Sequence, residues 1–199
     1  MPNWCNNTIT LTGPKAKIIA IYEKAKEDNA LLQQLYPMPT QLEGTTSPAP
    51  KEGKVQPLVD GHDNWYDWRV DNWSTKWDVD ADNLELEVHG DRATISGWFD
   101  SAWSPPIGAY EHFLTENEDC HISSLYYEGG MDFAGKWEDF ADMTVTPGDF
   151  TADEMEDPNS GLIYDINEQF NMSEFVREWE EEQKTETEKF IVDKEEVNV

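Results

Sequence analysis

The sequence predicts an α+β fold, a ferredoxin-like split βαβ sandwich (βαββαβ) with an added edge strand and an acidic, partly helical C-terminal extension. Three observations carry this. A hairpin is written around Gly90-Asp91, flanked by the alternating runs Leu84/Leu86/Val88 and Ala93/Ile95/Gly97/Phe99. A strand and a Pro-initiated helix precede that hairpin, and a Pro-initiated helix and a strand follow it. The element order is strand, helix, strand, strand, helix, strand, with one more strand behind.

In residues 3–12, Cys5, Ile9 and Leu11 share one face, as in a strand with one buried side. Gly13-Pro14 then opens a helix with the apolar stripe Ile18, Ile19, Tyr22 and Ala25, ending near Asn29. A short segment, Leu31 to Tyr36, is stopped by Pro37 and Pro39. Residues 40–60 are rich in Pro, Gly, Thr and Ser and read as a mobile loop. The aromatic and acidic run His62 to Trp68 covers a sheet end in this reading, and strand two begins at Trp73 to Asp78.

If His89 pairs with Arg92, partner numbers sum to 181, which sets Asn83 opposite Trp98 and Asp78 opposite Trp103. Trp77 and Trp103 then become neighbours. Ser104 is placed as the cap of a second helix whose first turn holds Pro105 and Pro106, with Ile107, Tyr110, Phe113 and Leu114 facing the core. Cys120 to Glu128 reads as a strand, Gly129-Gly130 as a turn, and Phe133 to Trp137 as the added edge strand. Strand-like Met143 to Val145 follows. The domain is assigned to residues 1–146 and the extension to 147–199. Within the extension, Ser173 is placed to cap a helix carrying Phe175, Val176 and Trp179. The tail past Glu180 reads as a solvated helix or a segment that orders on contact.

Charge narrows the function. With 14 Lys and Arg against 42 Asp and Glu, the net charge is −28, which repels nucleic acid and anionic membrane and attracts basic partners. Residues 1–100 hold nine basic and 16 acidic side chains, whereas 101–199 hold five and 26. From 104 to 176 there are 17 acids and one base, Lys136. Glu116, Glu118, Asp119, Asp139, Asp142, Asp149, Asp153, Glu154, Glu156 and Asp157 are therefore the candidate partner-binding surface. An acidic surface also serves plain solubility. Two cysteines, Cys5 and Cys120, have no metal-type spacing and read as reduced, buried thiols of a cytoplasmic protein. No apolar run approaches the roughly 20 residues of a membrane span.

In the expected topology the aromatic residues meet at one end of the sheet, where Trp73, Lys76, Trp77, Trp103 and Tyr127 form either a pocket for an anionic or planar ligand or a plug that closes the sandwich. The N–H groups of the second helix face the same end. His62, His89, His112 and His121 lie on separate elements, and the acids from Asp149 to Asp157 lack the Gly and spacing of a calcium loop. No catalytic residue, metal ligand or cofactor is assigned. With Met1 removed, the Pro2 amine would sit at the aromatic end as a possible base.

Five motifs occur in order: Met1-Pro2-Asn3-Trp4-Cys5-Asn6-Asn7, Leu35 to Pro39, Asn72 to Asp78, Ala102 to Pro106 and Tyr127 to Gly135. Together they resemble the YubB-type family over roughly residues 1–140. The resemblance implies a ferredoxin-like domain encoded by phages and plasmids, with no settled activity and no catalytic residue to carry over. The acidic region after residue 140 lies outside that pattern. From charge and resemblance together the chain is expected to be a phage accessory protein that mimics nucleic acid toward a basic host protein, such as a nuclease, a restriction enzyme or another defence component. The expected alternative is a small-ligand domain at the Trp-rich end.

Overall fold

The computed structural model describes residues 3–48 and 55–182. Its centre is a six-stranded antiparallel sheet in the order β2-β3-β1-β4-β5-β6. The strands are β1 (Trp4–Pro14), β2 (Leu84–His89), β3 (Arg92–Ala102), β4 (His121–Glu128), β5 (Phe133–Glu138) and β6 (Ala141–Val145). Helices cover both faces. On the near face lie α1 (Lys15–Asp28), α2 (Leu32–Leu35), α3 (Trp65–Trp73) and α4 (Ile107–Glu116). On the far face lie α5 (Ala152–Glu156), α6 (Leu162–Phe170) and helical residues 172–182, here α7.

Strand parity builds the two cores. Cys5, Ile9 and Leu11 of β1, with Ile95 and Phe99 of β3 and Ile122 and Tyr126 of β4, point to the near face and bury against Ile18, Tyr110 and Phe113. From the same β4, Leu125 and Tyr127 point the other way, into a smaller far-face cluster with Ala134, Met155, Ile163 and Ile166. The acidic extension is thus a packed layer through Val176. Of the tail past Glu180 expected to be solvated, Glu181 and Glu182 are exposed at the end of a helix, and 183–199 lie outside the described residues.

The hairpin register is as calculated: Leu84 pairs with Gly97 and His89 with Arg92. It stops sooner than expected. β2 starts at Leu84 because the chain passes directly over Gly97, where a Cβ would lie 2.2 Å from the Asn83 carbonyl oxygen. Asp78 is therefore not opposite Trp103. It accepts from the backbone N–H groups of Leu32 at 2.7 Å and Gln33 at 2.9 Å, capping α2.

The aromatic run at the sheet end forms a helix, α3, capped by Asn64, whose Oδ1 accepts from Tyr66 N and Asp67 N. Two further expectations change. Phe133–Glu138 is an interior strand, and the edge is β6. Ser104 does not cap α4; its hydroxyl donates to the Ser74 carbonyl instead. In the loop read as mobile, Thr40–Leu42 forms a helical turn that buries Leu42, and Thr45 Oγ1 accepts from Trp65 N at 2.9 Å. Residues 49–54 lie outside the described set.

Candidate functional site

The Trp-rich end is assembled by α3 and the loop behind it. Periodicity along α3 puts Trp68 and Trp73 inward, edge to face with centroids 5.8 Å apart, and both are fully buried. The Trp73 indole N–H donates to the Tyr36 carbonyl at 2.8 Å. Arg69 lies over the Trp73 ring at 4.7 Å and over Trp65 at 5.3 Å, and burial depresses its pKa. Trp73 is therefore core, with no face left for a ligand.

Beyond α3, Thr75 pins the loop to the end of β3. Its buried hydroxyl donates to the Ala102 carbonyl at 2.9 Å and accepts from Ala102 N at 3.0 Å, taking the place of a partner strand. Lys76 and Trp77 are thereby delivered to Trp103. The Lys76 ammonium lies 4.4 Å from the Trp77 ring centre, 5.6 Å from Tyr66 and 5.7 Å from Trp103, inside a cage of three rings. Trp77 also packs against the exposed Trp4, ring centroids 5.8 Å apart and tilted by 34°. Trp103 has φ +74°, a conformation a bulky side chain rarely adopts, and its N–H donates to the Asn3 carbonyl at 2.9 Å.

Of the five residues expected to line a pocket, Lys76, Trp77 and Trp103 come together and Trp73 packs beneath them. Tyr127 does not join. Its position on β4 has the opposite parity, and its ring packs on Phe170 of the far layer at 6.2 Å. The N–H groups at the start of α4 are also occupied: Ile107 N donates to the Pro105 carbonyl, Gly108 N to Ser74 Oγ and Ala109 N to the Pro106 carbonyl. The Pro2 amine lies outside the described residues. Tyr66, a ring of the cage, was not among the expected residues; Asn64 followed by Asp67 is the helix-start signal that would have placed it.

All ten acids of the expected partner surface are exposed, but nine of them fall into two groups. Glu116, Glu118, Asp119 and Asp139 stand at the end of the sheet where β4 begins and β5 finishes. Asp149, Asp153, Glu154, Glu156 and Asp157 belong to the far layer, and Asp142 lies on edge strand β6. Several also serve the fold. Asp119 takes Lys17 at 2.7 Å, which lowers the Asp119 pKa. Asp139 accepts from Ile122 N at 2.9 Å and sits 2.8 Å from His121 Nδ1. Asp142 accepts from the Tyr126 hydroxyl at 2.6 Å, a bond that crosses Gly135, where a Cβ would lie 2.3 Å from that hydroxyl. Arg177 joins Asp153 at 3.2 Å to Glu156 at 2.8 Å, and Thr151 with Glu154 makes a complete capping box. Asp157 accepts from Asn159 N at 3.0 Å. Glu116, Glu118 and Asp149 have no hydrogen-bond partner in their side chains among the described residues.

Neither cysteine is prepared as a nucleophile. Burial pushes the Cys5 thiol up to about 12 and the Cys120 thiol up to about 11, so neither is a thiolate near neutral pH. The histidines are separate: His62 pairs with Asp71, His89 with Glu87, His121 with Asp139, and His112 stacks on Tyr36 at 3.5 Å. Among the described residues no three His, Cys, Asp or Glu side chains are grouped to hold a metal ion, and no helix is long and apolar enough to cross a membrane.

Among the concavities away from the Trp-rich end are two on the far face. One, of about 540 Å³, lies on the far face of the sheet beside α6, with Thr10, Ser96 and Ser123 in one cross-strand row and the half-exposed Trp98 beside it. The other, of about 570 Å³, lies between α7 and the turns at Gly129 and Gly148, lined by Phe150, Phe175 and Trp179. No family model, curated protein or solved structure matches the chain.

Proposed function

We propose that this chain is a mobile-element accessory protein that acts by protein–protein contact, presenting carboxylates to a basic, nucleic-acid-binding host protein in the cytoplasm. The observation that carries the reading is the exposure of all ten acids in a half of the chain where Lys136 is the only base between residues 104 and 176. DNA offers one charge per roughly 1.7 Å of helix axis, and a protein that occupies the DNA-binding groove of another protein must hold carboxylates on a rigid frame to compete for the same lysines and arginines. The capping box and the Arg177 bridges supply that rigidity in the far layer.

The order β2-β3-β1-β4, with α1 and α4 on one face, supports reading the core as a ferredoxin-like split βαβ extended by β5 and β6. Similarity to the YubB-type motifs supports a phage or plasmid origin. The host target is a nuclease, restriction enzyme or other defence component whose groove is basic. The test is displacement of duplex DNA from a restriction endonuclease by this protein at increasing salt. Displacement that weakens steeply with salt is expected, and displacement that is absent or insensitive to salt overturns the reading.

One observation favours the alternative of an anionic or planar ligand at the Trp-rich end: the Lys76 ammonium makes no ion pair among the described residues and meets only rings. A thermal-shift titration with aromatic carboxylates decides it. A saturable rise in Tm that disappears in Lys76→Met supports ligand binding, and no rise supports a plug.

A further inference from the structure

We infer that the groove between α7 and the Gly129 and Gly148 turns is the docking site for a basic segment with an apolar stripe on the partner. This rests on the reading of the chain as an acidic interaction protein, and it names the place and the chemistry of contact.

Contacts with α5 and the far-face cluster hold α7 in place. Met172 is buried, Val176 packs into the far-face cluster, and Arg177 is tied to Asp153 and Glu156 of α5. Those contacts fix the rotation of the helix. Phe175 and Trp179, one turn apart, fall beside the buried stripe and remain 65% and 60% exposed. A surface helix that needed only to cover the sheet would carry polar residues there. Two large rings left in solvent beside Phe150 form an apolar floor, which in a protein of this net charge marks a contact surface. Rigid aromatic side chains also order at little entropic cost on binding.

The rim decides what docks. Asp132, Asp149 and Glu180 line the same groove, and among the described residues the Asp149 side chain has no partner. The groove therefore joins a hydrophobic centre to a carboxylate rim, the complement of an amphipathic segment with lysine or arginine beside leucine or phenylalanine. A second copy of the chain would bring its own charge of −28 to this rim. The chain's own residues 183–199 bring five acids and three lysines, again a net negative charge. Charge complementarity selects a basic partner over both.

The experiment compares two synthetic peptides of equal positive charge, an amphipathic lysine–leucine peptide and an all-lysine peptide, by titration calorimetry against the full chain. The amphipathic peptide is expected to bind about tenfold tighter, and that advantage to vanish in the Phe175→Ala/Trp179→Ala variant while the salt dependence stays. Both side chains are exposed, so the variant keeps the fold. If both peptides bind equally, docking in the groove is overturned while the acidic reading stands. If neither binds, both fail. If Phe190→Asp in the full chain raises the affinity for the amphipathic peptide, the groove belongs to the chain's own tail. If sedimentation shows a dimer that Trp179→Ala dissolves, it belongs to a second copy.

Discussion

The Trp-rich end and the far layer both hold tryptophan beside charge, and they use it in opposite ways. At the Trp-rich end the charges are turned inward: Arg69 over Trp73 and Trp65, Lys76 over Trp77, Tyr66 and Trp103, with every ring packed on another ring or on an own-chain cation. In the far layer Phe175 and Trp179 stand in solvent and the neighbouring charges are carboxylates. Cations over aromatic faces satisfy both groups within the molecule. Carboxylates beside aromatic rings satisfy neither, and what they lack is a cation from elsewhere.

That contrast is broken first by Trp73→Ala. The side chain is fully buried and donates a hydrogen bond, so the expected loss is about 3–5 kcal/mol in denaturant unfolding. Trp179→Ala, at a 60% exposed position, is expected to leave the unfolding midpoint within experimental error. Equal losses at the two positions would make the far layer a second core and remove the distinction.

A smaller effect is expected at Asp78, which holds the loop after α3 to α2. Asp78→Ala strands the N–H groups of Leu32, Gln33 and Val79, costing about 1–3 kcal/mol. Smaller again is Lys76→Met, which removes the caged cation and keeps the length of the side chain. Loss of about 1 kcal/mol with unchanged binding of basic peptides is expected if the cage is architecture.

Acid should separate the regions in order of loosening. Burial holds the Asp78 carboxyl above its ordinary value of 3.8, so its contribution to stability is complete below that value and is lost as pH rises through the folded pKa. Glu156, held by Arg177, and Glu154, held by Thr151, lie below their ordinary 4.5, so their contribution is present above 4.5 and lost as pH falls through the folded values. Between about pH 5 and pH 3, hydrogen exchange in α5 and α7 is expected to accelerate before that of β1 and β3. The reverse order would contradict the assignment of these carboxylates.

Much of this was legible in the residues. The buried parity of Cys5, Ile9 and Leu11, the hairpin register around Gly90-Asp91 and the core stripe of α4 follow from apolar periodicity alone. The start of β2 was not legible, because nothing apolar distinguishes Trp73 to Asp78 as strand from helix end and loop. Its end point depends on the close passage of Asn83 over Gly97, a contact between distant residues. Helix α3 was concealed by its composition, large aromatics among acids, although Asn64 and Asp67 spelled its start. Tyr127 was misplaced for a simpler reason. Convergence at a strand end says nothing about face, and parity with Tyr126 sends it to the other side of the sheet. The exposed acids could be read individually, whereas their division into two groups required the fold.

The most direct test of the account is the salt dependence of affinity for a basic duplex-DNA-binding protein, measured by calorimetry on the wild type, on Trp77→Ala and on Glu116→Gln/Glu118→Gln/Asp149→Asn. The account predicts that Trp77→Ala leaves the slope of log affinity against log salt unchanged, while the three neutralisations make it shallower and weaken binding. A slope unchanged by the neutralisations, or binding abolished by Trp77→Ala in a folded protein, would contradict it.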